Sequence, residues 1–111
     1  MATKITLPYD GANYTLEFNR KTVQWMEGEG FDLKLLESKV FTMIPILIIG
    51  AFRMHHRRLE SDFILDKVWL AQTHRQQLLG QLSEMYAETF EFLLDSDEGK
   101  DEGNATWAVQ K

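Results

Sequence analysis

The chain has 111 residues, 44% of them hydrophobic, and a formal net charge of −5. One core-bearing domain is the size that this length permits, and the apolar content excludes wholesale disorder. There is no cysteine, which excludes a disulfide framework and a thiolate metal site and fits a reducing compartment.

The charge is uneven: −1 over residues 1–50, +2 over 51–75 and −6 over 76–111. An acidic last third argues against a nucleic-acid binder, which needs a basic footprint to displace phosphate counterions.

Taken in chain order, Met1 to Lys4 lead into an alternating pattern with no apolar leader, so no signal peptide is expected and a cytoplasmic location is. Ile5 and Leu7, then Tyr14, Leu16 and Phe18, alternate on either side of the turn signal Asp10-Gly11-Ala12-Asn13. That pattern predicts a β-hairpin over residues 3–18 whose apolar face must rest on helices, since two strands alone are marginal.

Asn19 is placed to cap a helix over about 20–29, carrying Val23, Trp25 and Met26, with Gly30 to close it and Phe31 just beyond. Asp32 is placed to cap a short helix at 33–38. Thr42 is expected to cap an apolar helix at 43–56, putting Pro45 in its first turn, where a missing N–H is harmless. The apolar run Phe41 to Phe52 is shorter than the ~20 residues of a membrane span and reads as a buried helix, so no membrane is expected.

Ser61 is expected to cap a helix at 62–72 bearing Ile64, Val68 and Ala71. A long helix at 74–94 repeats Leu78, Leu82, Met85, Tyr86, Phe90 and Leu93 at three-and-four spacing. Leu79, Phe92 and Leu94 widen this stripe beyond what one small core covers, which points to self-association or a partner. From Asp95 an acidic spacer follows, then Asn104-Ala105-Thr106-Trp107-Ala108-Val109. The expected architecture is α+β and mainly α: a hairpin packed on four to five helices forms one domain at 1–94, with a disordered acidic tail at 95–111.

His55, His56 and His74 are the candidate metal ligands, but adjacent histidines on a helix point about 100° apart, and no converging set is legible. An exposed helix end, where cationic groups favour the helix dipole, is the better reading of His55 to Arg58. Glu27-Gly28-Glu29-Gly30 lacks the lysine and hydroxyl of a phosphate loop. Ser38, Ser61, Ser83 and Ser96 have no elbow motif, and Glu84 with Glu88 marks a solvated helix face. No catalytic residue, metal or cofactor is expected, and the chain reads as a binding protein. Trp107 stands out as a docking residue because one tryptophan buries a large area; folding back onto its own core is the other outcome.

Several segments in order carry a resemblance: Tyr14-Thr15-Leu16-Glu17-Phe18, Thr22-Val23, Trp25-Met26-Glu27, Gly30-Phe31, Thr42-Met43-Ile44-Pro45, Gly50-Ala51-Phe52, His55-His56, Glu84-Met85-Tyr86-Ala87-Glu88 and Glu102-Gly103-Asn104-Ala105-Thr106-Trp107. Over nearly the whole chain the sequence resembles a small family from tailed phages of Gram-positive hosts, similar to the tail assembly chaperones of long-tailed phages. The resemblance implies a non-enzymatic chaperone that coats the tape-measure protein and recruits tail-tube subunits, and that is absent from the mature virion. A structural protein of the tail or head–tail connector is the alternative; a host-directed regulator or nucleic-acid-binding protein is a third reading. Trp107, Val109, Leu79, Phe92 and Leu94 are the expected partner contacts, with homo-oligomerisation open and no nucleic acid among the expected partners.

Overall fold

The computed structural model describes residues 4–94. Two strands, β1 (Ile5–Tyr9) and β2 (Ala12–Leu16), form an antiparallel hairpin. Its turn is only Asp10-Gly11, both at positive φ (50° and 78°), which is what a two-residue type I′ connection requires. The register pairs Tyr9 with Ala12, Leu7 with Tyr14 and Ile5 with Leu16, so these residues share the face turned to the core. Phe18, expected to extend the second strand, lies beyond it and is still buried.

Helix α1 (Arg20–Gly28) is fixed at both ends by local sequence. The Asn19 side chain accepts from the Thr22 N–H at 2.9 Å, and the Asn19 N–H donates to Thr22 Oγ1 at 2.8 Å, a reciprocal capping box. At the other end Gly30, at φ +91°, lets its own N–H reach the Glu27 carbonyl and the Phe31 N–H reach that of Met26. Met26 and Phe31 are both buried, completing a Schellman closure with its apolar contact. Asp32 then caps a 3-10 turn, Leu33–Leu35, through the Lys34 N–H; the helix expected over 33–38 is only this turn.

Helix α2 (Val40–Arg53) is the central element, touching α1, the 3-10 turn, β2 and the two later helices. It departs from expectation at both ends. It begins at Val40 behind Lys39, which makes no side-chain cap, so Thr42 lies inside the first turn and caps nothing. Pro45 is therefore interior, where it withholds the N–H that would otherwise meet the Phe41 carbonyl. Burial starts only at Met43, and Phe41 stands 95% exposed. The helix stops at Arg53, leaving His55 and His56 beyond it. Gly50 is buried because a Cβ there would lie 2.5 Å from the Met26 sulfur; its absence lets α1 and α2 approach.

Helix α3 opens as a single turn, Ser61–Phe63, and runs straight into a π-helical segment, Ile64–Val68. Glu60, with no side-chain bond, stands at the N-cap position, so Ser61 is in the helix rather than before it. The Trp69 N–H donates to the Ile64 carbonyl at 2.9 Å, and this wider turn brings Ile64, Val68 and Trp69 together into the core. Arg75 closes α3 by donating to the carbonyls of Leu70 and Gln72, both at 2.9 Å. The last helix, α4 (Arg75–Leu94), buries Leu82, Met85 and Tyr86. The described residues are thus α+β and mainly helical, with four helices and one hairpin.

Candidate functional site

The polar edge of the hairpin is tied to the end of α2. The Glu17 N–H donates to the Ala51 carbonyl, and the Thr15 N–H donates to His56 Nε2, both at 2.9 Å. Because Thr15 points its N–H outward, Thr6–Thr15 and Pro8–Asn13 are the non-hydrogen-bonded pairs of the ladder. Pro8 therefore loses no ladder bond, and its outward carbonyl accepts from Gln72 Nε2 at 2.8 Å.

His55 and His56 make opposite demands on their protons. His56 Nε2 accepts, so in this state it carries no proton. His55 Nε2 lies 2.8 Å from Oε1 of Glu17, a buried carboxylate, and donates to it. Burial, and then the neighbouring His55, hold His56 below the usual histidine pKa. The Tyr14 and Phe52 rings flank His56, at 5.1 and 6.2 Å. Met54, His55, Arg57 and Arg58 are exposed, as expected of this segment, but His56 is half-buried and the two histidines also tether it to the hairpin. Alternation in the sequence does not foretell this, because the contacts join residues 38 and 41 positions apart. Among the described residues no group of three His, Asp or Glu side chains is placed to hold a metal, and no helix is long and apolar enough to cross a membrane.

Among the described residues, four of the eight exposed large apolar side chains stand at the end of α4; Val40, Phe41, Met54 and Leu70 are the others. Phe92 and Leu94 are 61% and 71% exposed, and Phe90 and Leu93 stand partly clear beside them. Leu79 is separate from this cluster: half-buried, it packs against the core. Trp107 and Val109 lie outside the described residues.

Three clefts adjoin the tip of α4, one of them, of about 310 Å³, lined by Phe18, Met54, Phe92 and Leu93 among others; the other two adjoin each other. The larger, about 680 Å³, lies between the end of α1, the 3-10 turn and α4. Phe31, Leu33, Leu35, Tyr86 and Phe90 give it apolar walls, and Glu27, Asp32, Lys34 and Glu91 also line it. Tyr86 meets Phe31 edge-on at 4.8 Å and stacks on Phe90 at 5.9 Å. Burial, then Glu27 and Asp32, push its phenol above the usual pKa. A second cleft of about 340 Å³, lined by Val23, Leu93 and Leu94 among others, shares Glu27 and Phe90 with the first.

The spacing of α4 marks Phe90 and Leu93 as apolar, but it does not show that their stripe outruns the core. Phe41, part of the run expected to be buried, faces out instead, since an apolar run gives no sign of which residue does so.

A family model described as "Domain of unknown function (DUF5055)" matches residues 1–111. Comparison with curated proteins and with solved structures returns no match. The chain belongs to the DUF5055 family.

Proposed function

We propose that this protein is a tail assembly chaperone of a long-tailed phage, binding the tape-measure protein and recruiting tail-tube subunits without catalysis. The observation that carries the reading is the apolar tip of α4. Phe92 and Leu94 project from the end of a helix whose preceding turns are packed, together with partly exposed Phe90 and Leu93. Concentrated exposed apolar side chains at one end of a small domain are what a partner surface needs. A long helical client with apolar faces is at risk of aggregation until it is covered. The resemblance to tail assembly chaperones names that client, and Phe92 and Leu94 are the proposed contacts on this side.

A structural role in the tail or head–tail connector would bury the same tip permanently, and copy number separates the two. Quantitative mass spectrometry of purified virions, against lysate from the same infection, should find this chain in the lysate and absent from the particles. Stoichiometric retention in the particle would replace the chaperone reading with the structural one.

A further inference from the structure

We propose that the groove formed by the two joined clefts selects a cationic amphipathic helix of a client protein, seating its apolar side chains and pairing its lysines or arginines with Glu27, Asp32 and Glu91. The idea deepens the chaperone reading and rests on it for the client's identity. The two clefts adjoin at Glu27 and Phe90, which line both, so the apolar surface they offer extends from Leu33 and Leu35 to Leu93 and Leu94. Such a shape fits a helix better than a compact ligand.

The lining decides which helix. Apolar walls take leucine-like side chains, as in other helix-in-groove recognition. Three carboxylates line the wider cleft against the single ammonium of Lys34, with Arg20 at the narrower end. Glu27 and Asp32 act on the Tyr86 phenol, so this acidity reaches the apolar floor. Low-dielectric walls strengthen attraction for a cation there and repel a helix flanked by acids. Glu27, Asp32 and Glu91 are exposed, so neutralising them leaves the core alone. Asn at position 32 also keeps a side-chain acceptor for the Lys34 N–H.

The test is a fluorescence anisotropy titration of the full chain with a labelled 18-residue peptide of Leu and Lys at helical spacing, and with its Leu and Glu counterpart. The Leu/Lys peptide should bind, the Leu/Glu peptide about tenfold or more weaker, and added salt should narrow the gap. The variant Glu27→Gln/Asp32→Asn/Glu91→Gln should lose about tenfold in affinity for the Leu/Lys peptide, and Phe90→Ser should weaken it too. Circular dichroism should show both variants as helical as the parent.

Equal binding of the two peptides, or an unchanged Kd in the triple variant, would overturn the proposal. So would loss of binding in Asp97→Asn/Glu98→Gln/Asp101→Asn alone, which would place the attraction in the acidic C-terminal segment. Concentration-dependent dimerisation lost in Phe90→Ser, with no peptide bound, would give the groove to a second copy instead. Co-purification separates this idea from the reading beneath it. A triple variant that still carries the full amount of tape-measure protein sinks the groove and leaves the chaperone. If the unaltered chain carries none, the chaperone reading fails and the peptide titration alone decides the groove.

Discussion

The Thr15 N–H donates to His56 Nε2 across 2.9 Å, joining the outer edge of β2 to the segment just beyond α2. This bond exists only while that nitrogen is unprotonated. Burial, with His55 alongside, lowers the His56 pKa from its ordinary 6.5. Between the lowered value and 6.5 the unfolded chain binds more protons than the folded one, so stability rises with pH through that window. The contribution is complete above pH 6.5 and is lost as pH falls through the folded value. Urea titrations from pH 8 to pH 5 should show the folding free energy declining, and His56→Gln should flatten that decline. His56→Ala should cost about 1–3 kcal/mol at pH 8, where the Thr15 N–H loses its acceptor. An equal pH slope in wild type and His56→Gln would remove His56 from the account.

At Gly50 helix α2 faces the Met26 side chain of α1. A Cβ at this position meets Met26 Sδ at 2.5 Å and Cγ at 2.7 Å, and Met26 is fully buried, so its side chain must shift within the core. Gly50→Ala should therefore destabilise by about 1–3 kcal/mol despite alanine's better helix propensity. The check is a double-mutant cycle in thermal unfolding: Met26→Ala should cost less in the Gly50→Ala background than alone. Additive costs would mean that the two residues do not press on each other.

Asn19 carries half of the α1 capping box. Asn19→Ala should cost about 1 kcal/mol, while Asn19→Ser should cost little because serine retains the side-chain acceptor. Chemical denaturation of the two variants side by side measures the difference.

Phe41 is 95% exposed, so Phe41→Ser should leave stability within about 0.5 kcal/mol of the parent. The same substitution at Phe52, which is fully buried, should unfold much of the population, since removing a core aromatic costs about 3–5 kcal/mol. A large loss at Phe41 would show that its ring packs on this chain.

What could be read from the sequence was what short-range rules control. The Asn19 cap, the Gly30 closure and the Asp32 cap depend on residues within about six positions of one another, and the hairpin pairs residues no more than 11 apart around a local turn. Expectation failed where distant packing decides. Thr42 and Ser61 are reasonable caps in isolation, yet α2 and α3 start ahead of Thr42 and at Ser61. The π turn in α3 has no local signal, because bringing Ile64, Val68 and Trp69 together is a demand of the core. The site divides similarly. Phe92 and Leu94 stood out as surplus to the stripe of α4, whereas Leu79, equally surplus by spacing, is held at the core margin. The groove joins residues about 60 positions apart, such as Phe31 and Phe90, and periodicity within one helix carries no trace of it.

In the proposed function the apolar tip of α4 holds a tape-measure protein during assembly. The most direct test of this claim is co-expression of the tagged full chain with the tape-measure protein of the same phage, followed by affinity purification, for the parent and for Phe92→Ser/Leu94→Ser. Both substituted residues are exposed, so the variant should melt where the parent does. The parent should bring the long protein into solution and co-elute with it in many copies, and the variant should leave most of it in the pellet. A tape-measure protein that stays insoluble with the parent, or co-elutes equally with a folded variant, would contradict the claim.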